Sequence, residues 1–350
     1  MQRYYTRACN FYYGNKSKFL VNKKKTLPLS SNRLISFDHI EIISRNSKKK
    51  ISIKKLNKVS KKLKKQILLD LKKITSKKKN FGKLHFQKIP NIMGVLNLTP
   101  DSFSDGGKFN NKSKGVKHAI QMFEAGANII DVGGESTRPG SKAVNIKLEW
   151  RRLDKILKYL CKKVSVSLDT RKAEIMEKGI KQGVKIINDV SGLTYDKETI
   201  KILKKYKIPF VIQHSKGSPE NMQTKPTYKN ELLDIYDFFE DKIKFLRTNG
   251  IRHNNIIIDP GIGFGKNLKH NMNLIRNISI FHSLGFPILV GTSRKRFIKE
   301  ISRKNDTKKR VGGTISSSIY LMMQGVQILR IHDVNELIQG IKIFKELVKN

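Results

Sequence analysis

From residue 88 onward, hydrophobic positions fall into two kinds of segment that alternate along the chain. Short runs rich in Ile, Val and Leu occupy residues 92–98, 128–135, 164–170, 185–190, 208–214, 255–261, 287–293 and 326–333. After them, apolar residues recur three and four apart, predicting helices over 114–124, 146–161, 172–182, 197–204, 230–248, 268–283, 311–323 and 334–348. Strands of buried type alternating with helices make βαβ units and a parallel sheet. Eight units in series predict an α/β fold, a (β/α)8 TIM barrel. The runs carry or lead into polar residues, among them Asn97, Asp169, Asn188, Asp189, His214, Asp259, Arg294, Lys295, Arg330 and His332. An open doubly wound sheet concentrates its chemistry at one switch point, whereas a barrel collects it around the C-terminal ends of all its strands. The spread over every strand favours the barrel.

The first 87 residues lack this pattern and are read as a basic N-terminal extension, with the barrel spanning 88–350. Residues 35–44 alternate enough for a strand or hairpin arm. Over 52–74, Leu56, Val59, Leu63, Ile67, Leu71 and Ile74 recur at helical spacing with lysines between them, predicting an amphipathic helix that packs on the barrel, the favoured use, or lies on an acidic surface.

Charge sharpens the contrast. The net charge is +44, and the first 90 residues hold 26 Lys and Arg against Asp38, Glu41 and Asp70. Aromatic residues there (Tyr4, Tyr5, Phe11, Tyr12, Tyr13) cluster away from the densest lysine runs, so base stacking is not indicated and no specific nucleic-acid partner is expected. No apolar run is long enough to span a bilayer. Two distant cysteines, Cys9 and Cys161, fit a reducing compartment without disulfide or zinc site. The expected location is the cytoplasm. The alternative is an organelle reached by a cleaved transit segment, because the first 37 residues carry no acid.

Seven stretches carry a family resemblance, in order: 93–107 (MGVLNLTPDSFSDGG), 127–140 (ANIIDVGGESTRPG), 167–170 (SLDT), 187–190 (INDV), 259–266 (DPGIGFGK), 291–295 (GTSRK) and 330–333 (RIHD). Together they resemble the signatures of the dihydropteroate synthases over about residues 90–348. The resemblance implies a transferase of folate biosynthesis that joins 6-hydroxymethyl-7,8-dihydropterin diphosphate to p-aminobenzoate, releasing diphosphate, with Mg²⁺ as cofactor. It also implies a homodimer and competition by sulfonamides.

Residue by residue, Asp169, Asn188 and Asp259 match the positions that meet the donor and acceptor edge of the pterin, with Lys295 at its acceptor atoms. Hydrogen bonds to charged groups contribute roughly 1.5–3 kcal/mol each, enough to select a ring by its edge. Arg330 and His332, two apart on one strand, face the same way and form a candidate clamp for diphosphate. Asn97 matches the Mg²⁺ contact, with Asp101 in the following loop as a second candidate. Thr137, Arg138, Phe264 and Ser293 would surround p-aminobenzoate. Asp169, Asp101 and Arg138 are the catalytic candidates, and loops 99–107 and 136–141 the expected lids. Strand five departs from the family pattern, with Gln213 and Ser215 flanking His214 where methionines are commoner, and Ile262 replaces a commoner aromatic. A pterin-dependent methyltransferase would share the barrel but lack the TPDSF, STRPG and SRK stretches present here.

Overall fold

The computed structural model describes residues 3–99, 112–136, 140–217 and 226–349. Residues ahead of the barrel form an antiparallel sheet around one long strand. β1 (Tyr5–Tyr13) pairs with one edge of β3 (Asn32–Ile43). The other edge is shared by β2 (Leu27–Leu29) and β4 (Lys48–Ser52). α1 (Gly14–Asn22) crosses from β1 toward β2, and α2 (Lys61–Thr75) covers the sheet with Ile67, Leu71 and Ile74 buried. The single helix expected over 52–74 is interrupted. A 3-10 turn (Ile53–Lys58) precedes α2, and the Ser60 hydroxyl caps the helix by accepting the Leu63 N–H at 3.4 Å.

The barrel strands are β5 (Asn91–Asn97), β6 (Ile129–Gly133), β7 (Val166–Asp169), β8 (Ile186–Asp189), β9 (Phe210–Gln213), β10 (Ile256–Asp259), β11 (Leu289–Val290) and β12 (Ile328–Ile331). They lie parallel in the order β10-β9-β8-β7-β6-β5-β12-β11, and a bridge from Ile258 to Ile288 joins the two ends. The helices that pack around them are α3 (Lys112–Glu124), α4 (Ile146–Leu160), α5 (Ala173–Lys181), α6 (Thr199–Tyr206), α7 (Glu231–Thr248), α8 (Leu268–Asn277), α9 (Arg296–Ser302), α10 (Val311–Met323) and α11 (Val334–Leu347). The predicted (β/α)8 barrel is borne out. Two details differ: α8 stops at Asn277 and continues as a buried 3-10 segment (Ile278–Leu284), and α9 is too short to have shown a helical period.

Inside the barrel, Met93, Ile129, Ile186, Val211, Ile257, Leu289 and Ile328 form one apolar layer, sealed from below by Phe81, Leu84 and Phe86. The extension clasps the outer wall. Tyr5 packs edge-on against Tyr236 at 5.1 Å and its hydroxyl donates to Asp237 at 2.8 Å. Ser279 donates to the Ala8 carbonyl and Tyr13 to that of Met323, both at 2.8 Å. Leu29 fills the space beside Gly325, where a Cβ would lie 1.9 Å from it. Among the described residues no helix is long and apolar enough to cross a membrane.

Candidate active site

Side chains two residues apart on a strand face the same way. One step above the apolar layer, the inward positions are therefore Val95, Asp131, Asn188, Gln213, Asp259, Gly291 and Arg330, and the filling turns from apolar to polar. The contacts confirm the convergence. Asp131 Oδ2 accepts from Arg330 Nε at 2.6 Å and from Asn188 Nδ2 at 2.9 Å, across three different strands. Arg330 Nη2 also donates to Asp169 Oδ2 at 2.8 Å. Burial alone would lower the Arg330 pKa, but Asp131 and Asp169 more than reverse this, so the guanidinium stays charged. Burial pushes Asp169 up, Arg330 pulls against it, and Asp131 adds to the rise.

This cluster keeps hydrogen-bonding capacity in reserve. Asp131 Oδ1, Asn188 Oδ1 and Gln213 Nε2 are buried without a partner among the described residues. Leaving such groups unmatched costs about 1–3 kcal/mol each, so an incoming ring edge that matched them would relieve that cost. Gly133, the next inward position above Asp131, lies against Asp169 and Asn97: a Cβ there would sit 3.4 Å from Asp169 Cβ and 3.7 Å from Asn97 Oδ1.

Asp169 and Asn188 lie on paired strands, β7 and β8, whereas Asp259 lies on β10, two strands beyond β8. In the structure β9 intervenes, so Gln213 stands between Asn188 and Asp259. Asp259 Oδ1 accepts the Gly261 N–H at 2.8 Å, and burial pushes the carboxyl up to about 6. The Lys295 ammonium lies over the Phe264 ring at 4.1 Å, and burial together with the like charge of Arg330 brings it down to about 8. Gly263 is required here, with φ at +82° and a would-be Cβ 3.2 Å from the Lys295 side chain.

Arg330 and His332 do not form one joint clamp. Arg330 is drawn to the carboxylates of β6 and β7, whereas His332 lies just past β12 and engages Ser293 Oγ through Nδ1 at 2.9 Å. Ser293 Oγ also accepts the His332 N–H at 3.2 Å. Beside them Arg294 pairs with Asp333 at 2.5 Å. Asp101, Thr137 and Arg138 lie outside the described residues, as does most of the first expected lid. The base of the second loop is firm. Glu135 accepts from Arg171 and from the Val144 N–H at 2.9 Å each, and lies 3.1 Å from Lys172, which reaches Glu149 at 2.5 Å. Burial would raise Glu135, yet these partners bring it below its ordinary value.

Three residues escaped the sequence reading. Asp131, the hub of the cluster, sits inside an apolar run, and its even spacing from Ile129 and Gly133 was the available signal. Lys266 is buried, donating to the Gly261 and Phe264 carbonyls at 2.8 Å and lying 3.0 Å from His214 Nδ1. It ties the loop after β10 to the end of β9. Glu149 is fully buried on α4, and nothing in its helical context marks it out. Among the described residues no group of three or more His, Cys, Asp or Glu could cage a metal.

A closed β/α barrel with a buried, charge-compensated polar cluster at its C-terminal rim is the architecture of an enzyme that binds a small polar molecule. Residues 93–332 match a family described as "Pterin binding enzyme". The dihydropteroate synthase of Synechocystis is 39% identical over 254 residues, 72% of this chain and 88% of the relative. The structure of Yersinia pestis dihydropteroate synthase in a sulfonamide drug complex superimposes with a TM-score of 0.72 at 38% identity, covering 75% of this chain and 95% of that one. Xanthomonas albilineans dihydropteroate synthase with 4-aminobenzoic acid gives 0.69 at 32% identity, covering 74% and 93%. The chain belongs to the pterin-binding enzymes, within the dihydropteroate synthase family, as its motifs implied.

Proposed function

We propose that this chain condenses 6-hydroxymethyl-7,8-dihydropterin diphosphate with p-aminobenzoate, giving 7,8-dihydropteroate and diphosphate in folate biosynthesis. The observation that carries this reading is the buried cluster of Asp131, Asn188, Arg330 and Asp169 with its reserve of unmatched polar atoms. Asp169, Asn188 and Asp259 bind the pterin edge, and Lys295 meets the ring's acceptors. The complexes of relatives with 4-aminobenzoic acid and with a sulfonamide support an arylamine as second substrate. Phe264 and Ser293, with Thr137 and Arg138, receive that arylamine.

The bond from the pterin methylene carbon to the diphosphate oxygen breaks first, and the electron pair leaves with diphosphate. The amine nitrogen then attacks the pterin-methyl cation and loses a proton. Asp169, buried and held by Arg330, stabilises the positive charge that develops on the ring, an electrostatic role that needs no side-chain nucleophile. His332, just past the end of β12, attracts the departing diphosphate, while Arg330 holds Asp131 and Asp169. The amide oxygen of Asn97 is a hard donor suited to Mg²⁺, which usually takes its other ligands from phosphate and water rather than from a protein cage. Asn97, with Asp101, would hold the ion, which when bound supplies charge neutralisation at diphosphate. We place the enzyme in the cytoplasm as a homodimer, a reading supported by the free thiols of Cys9 and Cys161 and by exposed Ile301 and Tyr320 on α9 and α10.

The test is an assay with the pterin diphosphate, p-aminobenzoate and Mg²⁺, with Asp169→Asn as control. Dihydropteroate from the wild type and at most a trace from the control is the expected result. No product from folded wild-type protein would sink the proposal.

A further inference from the structure

At the opposite, N-terminal end of the barrel, a cavity of about 590 Å³ opens between α2 and the starts of β10 and β11. Its apolar floor includes Leu284, Phe286 and Pro287, and its rim carries Lys72, Lys73, Lys77, Lys78 and Lys79. Pockets for small ligands measure about 300–1,000 Å³, so the cavity fits a compact molecule better than a nucleic acid or a membrane. The one acid lining it among the described residues, Glu240, is already paired with Arg3.

Lys78 is the anomaly. It is 6% exposed, and its one acceptor among the described residues is the Lys73 carbonyl at 2.6 Å, against the three N–H groups an ammonium offers. No described carboxylate lies within ion-pair distance of it, whereas Lys73 has only Asp70 at 3.9 Å. Burial and the Lys73 charge bring Lys78 down to about 8, and nearby His253 is lowered by burial, Arg247, Lys78 and Lys73. A buried cation amid like charges is costly unless an anion compensates it.

We propose that this cavity is a second binding site, for a small polyphosphorylated anion, distinct from the diphosphate site at the other end of the barrel. Phosphate oxygens accept charge-assisted bonds from several ammonium groups at once, and among the described residues no protein group in this cavity does so. Inorganic tripolyphosphate serves as the probe, and amine acetylation mapped by mass spectrometry as the site-specific readout at about 0.15 M salt, where exposed charges are screened beyond about 8 Å. Protection of the exposed lysines Lys72, Lys73, Lys77 and Lys79 by at least fivefold, with Lys48, Lys49 and Lys50 on β4 unprotected, is expected. A variant carrying K72Q, K77Q and K79Q, all exposed positions, should lose the protection of the exposed Lys73 while keeping wild-type turnover. Equal protection of Lys48–Lys50, no protection of the four exposed lysines, or protection of Lys73 that persists in the variant would each overturn the proposal.

Discussion

Asp131→Asn is the most informative single change, because Asp131 touches two candidate substrate residues without being one of them. The replacement is nearly isosteric but removes the charge shared by Arg330 and Asn188. Both donors meet the same oxygen, Oδ2, so the amide oxygen can keep both bonds without their charge, while the new NH2 group takes the place of Oδ1, buried without a partner among the described residues. Bonds to charged groups contribute roughly 1.5–3 kcal/mol each. Arg330 keeps Asp169 at 2.8 Å, so the full penalty of an unpaired buried charge, about 3–5 kcal/mol, is avoided. We expect a loss of about 2–4 kcal/mol in stability, which lowers Tm by about 3–5 °C in a chain of this size. If about 2–3 kcal/mol of that positioning is used in the transition state, kcat/KM falls about 30–150-fold. The assay is steady-state dihydropteroate formation on variant protein shown to be folded below its Tm, alongside Asn188→Ala and the double variant. Because Asp131 acts through Asn188, the double variant should lose less than the product of the single losses. A folded Asp131→Asn enzyme with kcat/KM within about threefold of wild type would refute the positioning role and leave Asp131 a stability residue.

Other expectations follow from the same geometry. The pH profile of kcat/KM should rise as Asp259 ionises at about 6 and Asp169 at about 8, and fall as Lys295 loses its proton at about 8, giving a narrow maximum, since this parameter reports free-enzyme groups; a flat profile from about 6 to 8 contradicts the assignment. Because the folded Asp259 value lies above its ordinary 3.8, the folded state holds that proton more tightly, and its contribution to stability falls as pH rises through the window up to about 6. Gln213→Met removes an unmatched buried N–H and should raise Tm by about 2–4 °C; an unchanged or lower melting temperature in a thermal scan argues against it. Phe86→Ala, below the barrel, should cost about 3–5 kcal/mol in urea unfolding and leave KM for both substrates unchanged. A shifted KM would mean that the plug communicates with the rim.

The barrel was legible because burial on both faces gives its strands continuous apolar runs, and the change to polar residues falls where each strand reaches the rim. Asp169, Asn188 and Arg330 could be picked out from that change. Their mutual contacts could not, because those depend on which strands face one another across the closed barrel. Asp131 illustrates the limit: its carboxylate meets Arg330 from a strand 199 residues later. β1 was missed for a different reason. Both of its faces are covered over much of its length, so the alternation that marks a half-exposed strand is weak. The start of α2 was misplaced because the apolar stripe runs on through the 3-10 turn, and only the Ser60 cap separates the two.

The clasp between extension and barrel also imposes a timetable. Tyr13 bonds to Met323, 310 residues later, its ring meets Phe344 edge-on at 5.7 Å, and Gly14 lies against the Val348 carbonyl. At ordinary translation speeds of about 5–20 residues per second, the first partner waits on the order of 15–60 s for the last to be synthesised. During that interval the Tyr13 ring lacks its Phe344 cover, whereas Leu29 can already pack within the extension's own core, so the extension's sheet can form before the last helix closes over its edge.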